Sequence, residues 1–417
     1  MKWNPAQDVD LRDADVYAIA SQREGYSRRR LLVHAVAWAG ATIGYHPFLS
    51  FLLPIKIGLI QGRFDPVLLS VAVMVSGLSA AAANLCWGAA SDLAVRRGGS
   101  RRSWIAGGLV ATAFAYGLLA LAQSGAALLV ATIVFQLSLN LILAPLAALL
   151  AEEVPVRDKG LLGGVLSIGA PAGAAVSVAT MVSGLHVNQG LMIIVLLMTA
   201  AILPLLTTYP SDGGGNVRLD LVLLRPAGPD LRTRDFTLLC LVRLLVQVAS
   251  KTVFFFLVYY FSATVADVSP LAIAELTFGA ALIALPTALV IGRVSDRWGN
   301  HRSMLFVTIM LMSAGLAIMA AQAHWLHAIL GYVLFASAGA TCLALHTGVT
   351  MLQLPGRLGS GAALGVLNLS NTMPAVLVAA LASSIVPLHG YRMICWVLAA
   401  IVFTSGLLLG LTSNVKD

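Results

Sequence analysis

Residues 270–321 read PLAIAELTFGAALIALPTALVIGRVSDRWGNHRSMLFVTIMLMSAGLAIMAA. Two apolar runs, 270–292 and 303–321, flank a short segment that carries Arg293, Asp296, Arg297 and Arg302. Each run has roughly the 20 residues that an α-helix needs to cross a hydrocarbon core of about 30 Å. The charged segment is too polar for lipid, so the stretch predicts a pair of membrane-spanning helices joined by a turn in water. Working outward from it, the same alternation recurs along the chain. Spans are predicted near 31–59, 66–90, 104–122, 127–151, 160–185, 190–208, 236–262, 270–292, 303–321, 325–352, 361–386 and 391–412. A lipid-exposed backbone must satisfy its own hydrogen bonds, and these runs are too long for barrel strands. The expected fold is therefore an all-α integral membrane protein with twelve transmembrane helices.

Composition agrees. Of 417 residues, 59% are hydrophobic and 11% charged, with a mean hydropathy of +0.89. Soluble proteins carry about 25% charged residues, so a soluble enzyme, a disordered chain and a secreted disulfide scaffold are all excluded. Cys86, Cys240, Cys342 and Cys395 each fall inside an apolar run without metal-ligand spacing and read as small hydrophobes. The first 30 residues are polar and mixed in charge, with no removable signal peptide to be expected. The net charge of +8 comes from short basic clusters between apolar runs, a pattern of membrane topology rather than of nucleic-acid binding. With the N-terminus inside, 21 Lys and Arg fall on the inner side, against Lys56, Arg63 and Arg392 outside. Both termini are thus expected in the cytoplasm. The organisation reads as a cytoplasmic tail (1–30), a six-helix bundle (31–208), a cytoplasmic linker (209–235) holding Gly213–Gly215, Pro226 and Pro229, and a second six-helix bundle (236–417).

The halves repeat each other. Gly88-Ala-Ala-Ser-Asp92 precedes Arg96, Arg97, Arg101 and Arg102, and Gly292-Arg-Val-Ser-Asp296 precedes Arg297, Gly299 and Arg302. The two aspartates are 204 residues apart, and Gly164-Val-Leu-Ser and Gly365-Val-Leu-Asn are 201 apart. Two matches at nearly one displacement indicate duplication.

At these residues the sequence resembles the major facilitator superfamily, whose signature between the second and third helices is a Gly, three residues, an Asp, then a Gly and paired basic residues. Residues 292–302 match except at Asn300 and His301. In the first copy Leu93–Arg97 lengthen the loop, and its ending, Gly99-Ser-Arg-Arg-Ser-Trp104, resembles the sugar-cation symporters of the glycoside-pentoside-hexuronide and sucrose types. The resemblance implies two pseudo-symmetric six-helix bundles and a gate built from Gly88, Asp92, Arg101 and Arg102 in one half and Gly292, Asp296, Arg297, Gly299 and Arg302 in the other. Physically, a carboxylate at the inner end of helix two can meet the positive N-terminal end of a helix in the other half, while topology alone would account for the arginines.

The superfamily's central cavity is lined by the first and fourth helices of each half. On those spans His46, Gln136, Asn140, Gln247 and Lys251 become candidate cavity residues, with interhelical hydrogen bonding as the competing role for the amides. Lys251 lies about 22 Å from the inner end of its span at 1.5 Å per residue. Glu275 reaches a similar depth, so Lys251 and Glu275 are a candidate charge pair for substrate or proton coupling. His346 reads as packing, Asn368 and Asn371 as packing or gate residues, and the aromatics Phe254–Phe256 and Tyr259–Phe261 as anchoring or packing side chains that could also clamp a ring. No Walker lysine loop or nucleophile elbow occurs, and His324 and His327 lack a third metal ligand.

The expected function is secondary transport of a small polar, sugar-like solute by alternating access. It is read as H⁺- or Na⁺-coupled uptake by a monomer in the cytoplasmic (inner) membrane, with the bilayer and a small-molecule substrate as partners and neither cofactor nor nucleic acid. Gly169-Ala-Pro-Ala-Gly173 keeps proton-coupled efflux as an alternative, and a transporter-like receptor or assembly factor is a further one.

Overall fold

The computed structural model describes residues 28–153, 166–182, 185–208, 233–321, 325–352, 370–371 and 373–412. Among them all regular structure is helical: α1 (Arg28–Ile43), a π-helical turn (Phe48–Leu52), α2 (Leu53–Gln61), α3 (Pro66–Arg96), α4 (Arg101–Leu121), α5 (Gly125–Glu153), α6 (Gly169–Thr180), α7 (Val187–Thr208), α8 (Thr233–Thr264), α9 (Pro270–Trp298), α10 (His301–Ala321), α11 (Trp325–Leu352) and α12 (Pro374–Gly410). Ten helical stretches are long and apolar enough to cross a membrane. With α6 as a further span and α12 divided at Gly390, this agrees with the twelve expected.

The first span is broken where the sequence predicts one run. Pro47 and Pro54 cannot donate backbone hydrogen bonds, and the chain turns at Gly44–Tyr45 and passes through the π-helical turn before resuming as α2. Tyr116 in α4 donates to the Gly44 carbonyl (2.7 Å), satisfying an acceptor near the break. The last two spans form one helical element whose break is Gly390, at φ 73° and ψ −178°, a left-handed φ that favours glycine. Arg302 at the start of α10 donates to the carbonyls of Leu409 and Gly410 (3.0 and 2.9 Å), and Arg392 donates to Ala320 (3.1 Å). Residues 391–410 therefore run antiparallel to α10, which places Gly390 at the end of the bundle opposite His301.

The motif helices overrun their apolar stretches. Helix α3 continues through Asp92 to Arg96 and α9 through Asp296 to Trp298, so both motif aspartates sit on helices. Capping sets these limits: Gly98 (φ 83°) and Gly299 (φ 60°) turn the chain, and Ser100 accepts from the Arg102 amide to start α4. The halves pack through α3 against α12 and α6 against α9. At the α3–α12 seam a Cβ on Gly77 would collide with Ala375, so glycine permits the approach there. The linker, the Gly164 and Gly365 repeat segments, Asn368, His324 and the side chain of Asp296 lie outside the described residues.

Candidate substrate site and inner gate

The ends of the first four spans nearest the α3–α4 turn are tied by charge. Arg101, 6% exposed, donates from Nε to Glu152 Oε2 (2.8 Å), from Nη2 to Glu152 Oε1 and from Nη1 to Ser91 Oγ (2.9 Å), and its Nη2 lies 2.7 Å from Asp92 Oδ1. Arg102 donates to Glu153 Oε1 (3.0 Å), whose other oxygen meets His34 Nε2 at 2.9 Å. Burial acts to raise the Glu153 carboxyl; the His34 hydrogen bond and the Arg102 charge outweigh it and hold the pKa below its ordinary value. Asp92 stays half exposed and pairs with Arg101 of its own half. The second copy has contacts of its own among the described residues. Ser295 Oγ contacts His301 Nδ1 (2.7 Å), Arg302 meets backbone carbonyls and Arg297 is exposed, while Gly88 and Gly292 face open space.

The candidate cavity residues separate into two groups. Gln136 and Asn140 are 5% and 4% exposed and lie inside the first half: Gln136 Nε2 donates to Ser76 Oγ, Asn140 Nδ2 to the Gln136 carbonyl (2.8 Å) and Asn84 Nδ2 to Asn140 Oδ1 (3.4 Å). They join α3 to α5 as interhelical hydrogen bonds. Gln247 and Lys251 instead share a half-buried stripe on α8 with Arg243, Ser250 and Phe254, while Val246, Val248, Ala249, Thr252 and Val253 are buried. Spacings of three and four residues put that stripe on one helical face. Phe254 at its outer end meets the His46 ring edge-on at 5.0 Å, so the stripe looks across the seam between the halves. His46 Nδ1 is buried without a hydrogen-bond partner.

Polar partners converge on Asn371. Its Oδ1 accepts from Arg243 Nε (2.9 Å) and Gln247 Nε2 (3.1 Å), and its carbonyl accepts from Lys251 Nζ (2.6 Å). Arg243 Nη1 also reaches His346 Nδ1 (3.4 Å) and Thr347 Oγ1 (3.1 Å), while His346 Nε2 is 2.9 Å from the Leu239 carbonyl. His346 is a buried packing residue, as its position implied. Lys251 and Glu275 are not brought together: no ion pair joins them among the described residues, and Glu275 is exposed on α9. The candidate set misses Arg243 and the role of Asn371. The available signal was that Arg243 and Lys251 are the two basic residues far from either end of a span, and nothing in a linear reading brings residue 371 to residue 243.

At the end of the bundle opposite Asp92 the halves meet through Tyr259, which donates to the Pro54 carbonyl (3.1 Å) and lies 4.7 Å from the Phe64 ring. Gly169 and Gly173 of the efflux-like segment abut Thr42 and His46, so close helix packing accounts for its small residues.

Residues 239–416 match the profile of the Major Facilitator Superfamily. No curated protein matches the chain. Among solved structures, a D-xylose-proton symporter is 15% identical at a TM-score of 0.68, covering 93% of this chain and 98% of its own. A mutant of the nucleoside transporter NupG is 12% identical at 0.71, covering 92% and 100%. The human organic anion transporter MFSD10 is 17% identical at 0.60, also covering 92% and 100%.

Proposed function

We propose that the chain is a major facilitator superfamily transporter and not an enzyme, a reading supported by the profile over residues 239–416 and by the shared fold, and that it carries out secondary active uptake of a small polar organic solute. The halves rock about the seam, and the solute binds the half-buried polar stripe Arg243–Gln247–Lys251 with Asn371. That stripe is the observation behind the reading: a helix that spends desolvation energy on three polar side chains facing the other half has them available to a ligand. The Tyr259–Pro54 contact at the outer ends and the own-half pairing of Asp92 support an inward-facing state. A D-xylose-proton symporter and a nucleoside transporter share the fold, which supports a hydrogen-bonding solute and coupling to H⁺, with Na⁺ as the alternative ion. The inner membrane, cytoplasmic termini and a monomeric state complete the proposal.

Reconstituted protein tests it. Counterflow of a labelled solute into proteoliposomes, run at two pH values with and without Na⁺, is expected to show saturable exchange. A folded protein that binds solutes and exchanges none would favour a receptor. Glu275→Gln is expected to keep the pH dependence, since Glu275 is exposed and apart from Lys251; its loss would make Glu275 the coupling acid.

A further inference from the structure

The polar stripe carries an unbalanced charge. Of the chain's 18 acidic residues, Glu275 is the one that the sequence places deep within a span, and it pairs with neither cation of the stripe. Among the described residues, the hydrogen-bond partners of Arg243 and Lys251 are all neutral: Asn371, His346 and Thr347. Both cations nevertheless close on a single residue, Asn371, from positions two helical turns apart on α8, so two positive charges are focused on one place. Among the described residues Arg243 bonds only through Nε and Nη1 and Lys251 through a single N–H, and His46 Nδ1 lies unpartnered one turn further along, against Phe254. Unpaired cations at membrane depth are costly and persist where they serve a ligand or a pathway. A neutral polyol would leave both charges uncompensated. A carboxylate or phosphate accepts from several donors at once and supplies the missing charge in the same contact.

We propose that the transported solute is an organic anion, whose oxyanion head is held between Arg243 and Lys251 while Gln247 and Asn371 orient it. This rests on the transporter reading and narrows it from polar solutes in general to anionic ones.

Thermal stabilisation and proteoliposome uptake would be measured with glucose, glucuronate, succinate and glucose 6-phosphate, on the wild type and on Arg243→Gln, Lys251→Gln and Arg243→Lys. One or more anions are expected to stabilise the wild type and be taken up, with glucose inert. Succinate and glucuronate against glucose 6-phosphate tell a carboxylate from a phosphate head. Removing either charge should weaken anion binding by about 30-fold or more, and Arg243→Lys, which keeps the charge, should retain more affinity than Arg243→Gln. Arg243→Lys also serves as the folded control if the neutral variants do not assemble. Uptake of glucose with the anions inert, or anion affinity unchanged in both neutral variants, overturns the inference and leaves the transporter reading standing. If no solute is bound or exchanged by the wild type, both fall.

Discussion

His34 Nε2 lies 2.9 Å from Glu153 Oε2, joining the start of α1 to the end of α5. With Arg102 on the other carboxylate oxygen and Arg101 between Asp92 and Glu152, four contacts between basic and acidic side chains among the described residues close this end of the first half. The second half holds the equivalent corner with carbonyl acceptors for Arg302.

The Glu153 contacts make stability depend on pH with a definite sign. Its carboxyl pKa is depressed in the folded protein, so its contribution is fully present above the ordinary carboxylate value of about 4.3 and is lost as pH falls through the lowered one. Glu153→Gln is expected to cost about 1–2 kcal/mol at pH 7. Melting of detergent-solubilised protein between pH 7 and pH 3 checks this. The gap between wild type and variant should close below about pH 4, and a gap undiminished at pH 3 contradicts it.

Asp92 and Arg101 should separate gating from scaffolding. Asp92 is 53% exposed and Arg101 retains Glu152 without it, so Asp92→Asn should change stability by less than about 1 kcal/mol. Its initial uptake rate, normalised to reconstituted protein, should nevertheless fall; an unchanged rate removes the gate role. Arg101→Ala strands the half-buried Glu152 and should destabilise the protein itself by about 1–3 kcal/mol.

Tyr259 holds the halves together at the end opposite Asp92. Tyr259→Phe keeps the ring contact with Phe64 and removes the hydrogen bond to Pro54, worth about 1 kcal/mol, or roughly fivefold in population. Spin labels at Arg63 and Leu388, read by double electron–electron resonance, are expected to show more of the longer distance. A distance distribution identical to that of the wild type would mean that this bond does not bias the two states.

Helix number, the described span limits to within about six residues and the family resemblance were legible because each rests on local chemistry. Apolar length marks a span, and Gly-x-x-x-Asp followed by arginines marks the turn after a helix. The break in the first span was less legible, since Pro47 and Pro54 occur within one predicted run and a proline can kink a helix without ending it. The candidate site divided along the same line: residue counting gave the depth of Gln136, Asn140 and Lys251, and depth says nothing of facing.

By itself, then, the sequence determined the solvent, the helices, the duplicated halves and the presence of two deep cations with almost no acid to match them, because hydropathy and charge are properties of residues one at a time. The tertiary structure alone decided which side chains look into the seam. It turned Gln136 and Asn140 inward as joints between α3 and α5, left Glu275 apart from Lys251, and brought Asn371 to Arg243 from 128 positions away. Which face a helix presents is fixed by the neighbours it packs against, and those neighbours are remote in the chain.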